Sequence, residues 1–282
     1  THRPINDRIV LKNILSRMEK DVFKVIGRKP INLITARDII TILQGIEARG
    51  ALDVAKRINQ YCTQVFDYAL VMNLCEDNPA SGRGRIIKSR KVQHRPHLKD
   101  SELPTFLKAL KTAKKNKMNL AVRLLALTFV RPGELRCARW KEFDLESKLW
   151  SIPADRMKMG REHIVPLSRQ TIEALEELRG LTGRSEFVLH GQRLTKPVSD
   201  VALIEAVKDL TQGKGRPHGF RHTASTILNE QGYAPDHIEA QLAHVEENKV
   251  RGTYNKAQYL EPRRKMMQDW ADYLDQRAAA NK

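Results

Sequence analysis

The chain of 282 residues is 41% hydrophobic and 29% charged, and its 50 lysines and arginines against 33 aspartates and glutamates give a formal net charge of +17. No apolar run approaches the roughly 20 residues of a membrane span, so the composition excludes an integral membrane protein of the helical type. A surface this basic attracts polyanions, and phosphate contacts supply most non-specific nucleic-acid affinity. We therefore expect a globular protein with a nucleic-acid partner and no membrane.

Three cysteines, Cys62, Cys75 and Cys137, form neither a CxxC pair nor an even framework. This usage favours a reducing, cytoplasmic compartment. The chain begins at Thr1 rather than at a methionine, so we expect that an upstream segment is missing.

The first part of the chain predicts a helical domain over residues 1–81. Thr35 is placed to cap a helix with Asp38 three residues later, and Gly50 is expected to end it. A second helix is predicted from residue 52, ending at Asn78-Pro79. Its apolar stripe is expected to face the core and consists of Val54, Ile58, Cys62, Val65, Phe66 and Ala69.

Residues 82–97 predict a basic interdomain linker. No acidic residue occurs between Asp77 and Asp100, and the glycines, serines and prolines there disfavour a regular element. A block of like charge is typical of a solvated linker, and between two globular segments it can also cross a nucleic-acid backbone. The candidate phosphate-contacting residues are Arg83, Arg85, Lys88, Arg90, Lys91 and Arg95.

Residues 98–282 predict a second domain that mixes helices with short strands. The segment "NLAVRLLALTFV" is apolar all round and is expected to be a buried helix. "LWSIP" and "EHIVPL" predict strands around the loop "ADRMKMGR", "EFVLH" predicts another strand, and helices follow from about residue 199. The predicted fold class is therefore mainly α with a small antiparallel β-sheet (α+β).

The motifs of metal and nucleotide chemistry are incomplete. His218 and His222 have the i,i+4 spacing of a zinc site, but the glutamate of H-E-x-x-H and a third ligand are missing. There is no Walker phosphate loop and no carboxylate pair suited to two metals. We expect no metal and no cofactor, so chemistry on a phosphate must rest on cations, a nucleophile and a proton donor.

Residues suited to those roles are scattered along the chain: Arg131, Lys158, His218, Arg221, His244 and Tyr254. Pro132 can open a helix and so fix the preceding arginine at a helix junction. Gly160 permits the turn of the hairpin that carries the lysine. His218 and Arg221 share one face if a helix starts there.

In this fixed order the six residues resemble the catalytic set of the tyrosine recombinases, or phage-type integrases. The likeness extends through "LTFVRPGELRCARW", "IPADRMKMGREHIVPLSRQ", "HGFRHTASTILNEQGY" and "QLAHVEENKVRGTYNKAQYLEPRRKMMQDWADYLD", and it is greatest to integrases of prophages and pathogenicity islands. The resemblance implies a core-site DNA-binding domain at 1–81 and a catalytic domain at 98–282. Such integrases usually carry a further N-terminal arm-binding domain, which we expect this chain to lack.

The resemblance implies that Tyr254 attacks a DNA phosphate to form a 3′-phosphotyrosyl link, which the 5′-hydroxyl of a partner strand then resolves without ATP. It also implies that Arg131 and Arg221 bind the non-bridging oxygens and that Lys158 protonates the leaving oxygen. The two histidines donate to the phosphate or accept the tyrosine proton, and the sequence leaves their division of roles open. Glu134, one helical turn from Arg131, is expected to orient one of these cations.

The partners implied are double-stranded DNA with attachment core sites, three further copies of the chain in a synaptic tetramer formed from free monomers, and accessory DNA-bending or excision factors. The implied location is the bacterial cytoplasm at the nucleoid, and the implied role is integration or excision of a mobile element.

Several alternatives stay open on the sequence alone. A DNA-binding protein without catalysis shares the basic linker, and a type IB topoisomerase shares the chemistry. Tyr259 is a rival nucleophile, although "QYLEPRR" favours a packing position for it. The predicted C-terminal helix, with Met266, Trp270 and Leu274 at helical spacing, packs either on its own core or on a neighbouring subunit.

Overall fold

A computed structural model describes residues 5–88, 96–244 and 258–279, with side chains from residue 10 onward. The chain divides into two compact units, Thr1–Gln93 and His94–Lys282, and each is described by itself. Within the described ranges no helix combines the length and the apolar character that crossing a membrane requires. Tyr254 and three of the predicted linker contacts, Arg90, Lys91 and Arg95, lie outside the described residues.

The first unit is helical, as predicted. Its elements are α1 (Ile5–Asp21), α2 (Phe23–Ile26), α3 (Ala36–Ala48) and α4 (Leu52–Val71), with 3-10 turns at Ile31–Leu33 and Arg83–Ile86. The α3 cap is confirmed, because the Asp38 carboxylate accepts the Thr35 N–H at 2.9 Å while the Thr35 hydroxyl accepts the Asp38 N–H. Gly50 follows the helix with a left-handed φ of +77°.

Helix α4 corrects two predictions. Val65 is 49% exposed, because Phe66 and Cys62 already fill the buried stripe at helical spacing. The helix ends at Val71, well before Asn78-Pro79. Asn73 adopts a left-handed φ of +54°, and the Leu74 N–H donates to the Ala69 carbonyl at 2.9 Å. The left-handed Asn73, which follows the C-cap residue Met72, therefore ends this helix.

Both ends of the predicted linker, residues 82–97, adjoin residues that the structure describes. Residues 83–86 form a 3-10 turn, and Ile87 is buried in the core of the first unit. The Lys88 N–H donates to the Glu47 carboxylate at 3.2 Å. At the other end, the Leu98 carbonyl accepts the Thr223 hydroxyl at 2.7 Å within the second unit. Buried Ile87 and the hydrogen bond at Lys88 thus hold residues 87–88 on the first unit, and Leu98 is held on the second.

The second unit contains helices around a three-stranded sheet, which confirms the predicted fold class. Its elements are α5 (Leu103–Thr112), α6 (Lys117–Thr128), α7 (Pro132–Arg136), β1 (Phe143–Asp144), β2 (Leu149–Ile152), β3 (His163–Pro166), α8 (Arg169–Thr182), α9 (Asp200–Leu210), α10 (Gly219–Glu230), α11 (Pro235–Gln241) and the C-terminal helix (Leu260–Ala279). Side-chain oxygens of Asn116, Ser168 and Ser199 cap α6, α8 and α9.

The sheet has the order β1-β2-β3 and is antiparallel throughout. Trp150 pairs with Val165, and Ile152 pairs with His163, so the predicted hairpin is confirmed. The segment "EFVLH" is not a strand: Phe187 and His190 form isolated bridges only. Its apolar residues Val188 and Leu189 are buried in the core in an irregular conformation, and a short apolar run does not distinguish this from a strand.

The C-terminal helix packs on the core of its own unit. Met266, Trp270 and Leu274 are at most 4% exposed. The Trp270 indole N–H donates to the Ala126 carbonyl at 2.9 Å, which joins the helix to α6. These contacts of the C-terminal helix all lie within its own unit.

Candidate active site

Arg131 lies at the junction between α6 and α7. Phe129 ends α6 in a left-handed conformation with φ +39°, and Pro132 occupies the first turn of α7 with Arg131 as its N-cap, as predicted. The Glu134 carboxylate accepts both the Arg131 N–H at 2.8 Å and its Nη1 at 2.7 Å. Arg131 Nη2 donates to the Ala243 carbonyl at 3.0 Å. Two of the five guanidinium N–H groups of Arg131 are thereby used, and the side chain stays 24% exposed.

Arg221 projects from α10 into the same region and is only 4% exposed. Its Nη1 donates to the Phe129 carbonyl at 3.1 Å, and its Nη2 donates to the Leu242 carbonyl at 2.6 Å. The two arginines therefore bind adjacent carbonyls, those of residues 242 and 243, in the turn that follows α11.

His244 contacts both Arg221 and Glu239. Its Nε2 lies 3.1 Å from Arg221 Nη2, and its Nδ1 lies 2.6 Å from the Glu239 carboxylate. Because a guanidinium only donates, Nε2 must be the acceptor, and the ring proton is on Nδ1 facing the carboxylate. The contacts thus select the neutral Nδ1–H tautomer of His244.

Two guanidiniums, those of Arg131 and Arg221, lie close together in the site with the carboxylates of Glu134 and Glu239. Burial first, and then the nearby Arg131 charge, lower the pKa of Arg221 to about 10. The Glu134 and Glu239 carboxylates oppose that shift. The Arg221 guanidinium therefore remains protonated at neutral pH, and an anion placed beside the two arginines relieves the repulsion that lowers this pKa. Paired arginines in such an environment favour binding of a phosphate.

Lys158 is exposed at the tip of the connection between β2 and β3. The Gly160 N–H donates to the Met157 carbonyl at 3.0 Å, and Gly160 has a φ of +63°, so the predicted turn forms. Buried Met157 anchors one side of it. Arg156, directly before it, anchors the same side, since it contacts the Glu142 carboxylate and the Glu134 carbonyl of α7.

His218 is the N-cap of α10 and is exposed, one helical turn before Arg221. The glycine between them is required by packing: a Cβ on Gly219 would lie 2.6 Å from the Pro96 carbonyl oxygen. The His222 ring stacks on that of His97, with centroids 4.0 Å apart.

The structure thus brings Arg131, Glu134, Arg221 and His244 together, and it places Lys158 and His218 on exposed turns. Tyr254 lies outside the described residues. Tyr259 is half-buried, and its ring centroid lies 5.0 Å from that of His237, so it does not belong to the apolar core. Sequence reasoning missed Glu239 and Arg156, although each lies close in sequence to a candidate residue.

Family models and related proteins agree on the family to which the chain belongs. Residues 96–261 match the model of the phage integrase family, and residues 4–84 match the model of the phage integrase central domain. The chain is 41% identical over 272 residues to prophage integrase IntZ of Escherichia coli K12, covering 96% of this chain and 67% of the relative. It is 37% identical over 268 residues to prophage integrase IntA of the same organism, covering 93% and 64%. The chain therefore spans about two thirds of the length of these relatives.

Solved integrase structures share the fold. A lambda integrase(75-356) dimer bound to a COC′ core site matches with a TM-score of 0.68 at 19% identity, covering 85% of this chain and 89% of that one. A lambda integrase tetramer bound to a Holliday junction matches with a TM-score of 0.69 at 18% identity, covering 85% and 72%. By these matches the chain belongs to the phage integrase family, the tyrosine recombinases that break and rejoin DNA at specific sites.

Proposed function

We propose that this chain cleaves and rejoins DNA at attachment core sites through a 3′-phosphotyrosyl intermediate on Tyr254. The observation that supports the proposal most directly is the convergence of Arg131, Arg221 and His244 on one turn of backbone. The two guanidiniums provide donors for the non-bridging oxygens of one phosphate, where negative charge increases in the transition state.

In the cleavage step one bond forms, one bond breaks and the leaving oxygen receives a proton. The Tyr254 oxygen forms a bond to phosphorus while the bond to the 5′ oxygen breaks. Lys158, on its exposed turn, donates a proton to that leaving oxygen, which a lysine can do and an arginine cannot. Attack by a 5′-hydroxyl on the phosphotyrosine reverses these steps and restores the free tyrosine, so the phosphodiester energy is retained.

The contacts of the histidines support different roles for them. Both ring nitrogens of His244 are engaged, by Arg221 and by Glu239, so its role is to orient Arg221. His218 is exposed at the start of α10, on the same helix as Arg221. We assign the tyrosine proton to His218.

The first unit and the basic stretch that follows it supply further candidate DNA contacts. Arg85 and Lys88 are exposed and suited to phosphate contacts, whereas Arg83 is half-buried. We propose that the first unit binds the core site, that four copies assemble on synapsed DNA, and that accessory factors select integration or excision. The substrate places this activity at the nucleoid of a bacterial cell.

A suicide substrate tests the proposal. The core site is read from the repeated DNA that flanks the element, and a nick near the scissile phosphate traps the cleaved strand on the protein. We expect a covalent band on denaturing gels with the wild-type chain and with Tyr259→Phe, and none with Tyr254→Phe, which still binds the site. A covalent band that persists in Tyr254→Phe overturns the assignment.

Two further DNA substrates separate the rival activities. Strand exchange between two labelled sites supports a recombinase, and relaxation of supercoiled plasmid without exchange indicates topoisomerase activity alone. Binding without any covalent product indicates a non-catalytic DNA-binding protein.

A further inference from the structure

The side chain of Gln241, the last residue of α11, is a buried amide whose two polar atoms both have partners. Gln241 has no exposed surface. Its Nε2 donates to the Thr128 carbonyl at the end of α6, at 3.2 Å. Its Oε1 accepts hydrogen bonds from Nη2 and Nε of Arg263 at 2.6 and 3.2 Å. A polar side chain buried this deeply is costly unless its hydrogen bonds are made, so the two partners hold the amide in one conformation.

The backbone of Gln241 is held as well. Its carbonyl lies 3.1 Å from His163 Nε2, at the start of β3. Because a carbonyl only accepts, the imidazole is the donor. Arg263 in turn donates through Nη2 to the Ile164 carbonyl of the same strand at 2.6 Å. Gln241 is therefore tied to α6, to β3 and to the C-terminal helix, all within the second unit.

The contacts of Gln241 lie one residue away from those of Arg221. Thr128, which accepts from the Gln241 side chain, precedes Phe129, and the Phe129 carbonyl accepts Arg221 Nη1 at 3.1 Å. Gln241 itself precedes Leu242, whose carbonyl accepts Arg221 Nη2 at 2.6 Å. The amide and the guanidinium thus bridge the same two segments of backbone side by side. The length of the Gln241 side chain therefore sets the separation of the two carbonyls that Arg221 spans.

Arg131 depends on the same turn of backbone, because its Nη2 donates to the Ala243 carbonyl at 3.0 Å. We propose that Gln241 is a positioning residue that fixes the guanidiniums of Arg131 and Arg221 relative to each other, and so relative to the phosphate that they bind. The inference rests on the proposed role of the two arginines. Gln241 acts through backbone carbonyls and does not need to touch the DNA.

The placement of the two cations matters for the rate. Donors stabilise the transition state only where negative charge increases, and the loss of one such donor costs roughly 10²–10³ in rate. A displacement of about 1 Å can cost roughly 100-fold. An apolar side chain at position 241 removes the bond to Thr128 and takes the acceptor away from Arg263. We therefore expect the turn at 242–243 to shift, and both guanidiniums to shift with it.

The test compares single-turnover cleavage of two suicide substrates, one with the scissile phosphate and one with a methylphosphonate in its place. A methylphosphonate diester is neutral, so its cleavage depends less on paired cations. Relative to wild type on the same substrate, we expect Gln241→Met to cleave the phosphate about 100-fold more slowly and the methylphosphonate less than about threefold more slowly. A general folding defect slows both reactions by the same factor, and that result overturns the inference.

Gln170→Met is the matched control. Gln170 is a glutamine of α8 that is 1% exposed, and its Nε2 donates to Asp272 of the C-terminal helix at 2.7 Å. This variant makes the same substitution at a buried amide whose hydrogen bond joins α8 to the C-terminal helix. At a temperature where both variants are folded, we expect Gln170→Met to cleave both substrates at the wild-type rate. If Gln241→Met cleaves the phosphate as fast as Gln170→Met, Gln241 has no positioning role.

A double-mutant cycle with Arg221→Lys gives a second readout on the phosphate substrate, and it decides where the methylphosphonate is cleaved too slowly to measure. If Gln241 acts through Arg221, adding Gln241→Met to Arg221→Lys should slow cleavage by much less than about 100-fold. Rate losses that multiply would show that the two residues act independently. If Gln241→Met does not fold, Gln241→Asn, a shorter amide, decides by the same comparisons. Absence of a covalent adduct with the wild-type chain refutes the proposed function instead.

Discussion

Arg221 Nη2 lies 3.1 Å from Nε2 of His244, and this contact fixes the imidazole in its Nδ1–H tautomer. The proton on Nδ1 is then held by the Glu239 carboxylate at 2.6 Å. The chain Glu239–His244–Arg221 thus leads from a half-exposed acid to a buried guanidinium. It gives Glu239 an indirect part in the proposed chemistry.

The Glu239→Gln variant tests whether Glu239 contributes to cleavage through His244. The amide oxygen can still accept the Nδ1–H, but without the negative charge that favours it. We expect cleavage of the suicide substrate to slow by roughly tenfold, less than the roughly 10²–10⁴ that general acid–base catalysis supplies. The control is Glu146→Gln, the same charge change at an exposed residue of the β1–β2 turn, which should leave the rate unchanged. Equal rates for the two variants would remove Glu239 from the site.

The buried His163 side chain is expected to make the folding stability of the protein depend on pH. Burial first, and then the Arg263 charge, lower its pKa to about 3, from the usual value of 6.5. The unfolded chain therefore binds a proton below about pH 6.5 that the folded chain does not, so folding stability falls as pH decreases from 6.5 toward 3. The expected loss is about 1 kcal/mol per pH unit.

The His163→Gln variant tests this linkage, because its amide can still donate to the Gln241 carbonyl without titrating. Urea denaturation at pH 7.5, 6.5 and 5.5 gives the free energy of unfolding for both chains. We expect the wild type to lose about 1 kcal/mol more than the variant between pH 6.5 and 5.5, and no difference in slope above pH 7. Parallel curves throughout this range would show that His163 does not resist protonation in the folded state.

The parts of the fold that the sequence predicted well are those whose signals are local. The Thr35–Asp38 cap, the buried α6 helix and the Arg131-Pro132 junction each depend on residues within a few positions of one another. Helix α4 ends just before Asn73, which adopts a left-handed conformation. The Asn78-Pro79 pair is the stronger sequence signal for the end of a helix, and it gave the wrong position. Val188 and Leu189 are buried without forming a strand, because burial alone does not determine backbone conformation.

The parts of the site that escaped prediction depend on tertiary contacts. Arg263 and Gln241 meet across 22 positions of sequence, and His163 reaches Gln241 across 78. No spacing rule relates such residues, and each alone is an ordinary polar side chain. The candidate catalytic residues were predicted from their resemblance to a family, which supplies the order that no local spacing rule gives.

Gly219 should tolerate no side chain. A Cβ there would lie 2.6 Å from the Pro96 carbonyl oxygen and 3.0 Å from His97 Cα, both backbone atoms that cannot easily move. We expect Gly219→Ala to reduce the free energy of unfolding by about 1–3 kcal/mol and to slow cleavage, because the start of α10 carries His218 and Arg221.

Gly180→Ala is the matched control for that substitution. Gly180 lies within α8, where a Cβ meets nothing within 4 Å. Alanine is the better helix former, so we expect a gain of about 0.5–1 kcal/mol. Urea denaturation measures both variants, and a Gly219→Ala chain as stable as Gly180→Ala would show that the 96–97 segment does not pack against α10 in this way.

Ala243 presents its carbonyl to Arg131 from a left-handed backbone with φ +48°. Phe129, whose carbonyl accepts from Arg221, is likewise left-handed with φ +39°. A non-glycine residue in this region costs of order 1–3 kcal/mol, so the fold accepts strain at both carbonyls that hold the arginines. Glycine adopts the same conformation without that cost.

We therefore expect Ala243→Gly to change the free energy of unfolding by less than about 0.5 kcal/mol, because relief of strain offsets the greater freedom of the unfolded chain. Ala174→Gly, at a fully buried position within α8, lacks that relief and should cost about 1 kcal/mol. Ala243→Val should cost about 1–3 kcal/mol, since a β-branched residue is a poor fit at positive φ. An Ala243→Gly loss as large as that of Ala174→Gly would mean that Ala243 is not strained, and the Arg131 contact would then need no strain to form.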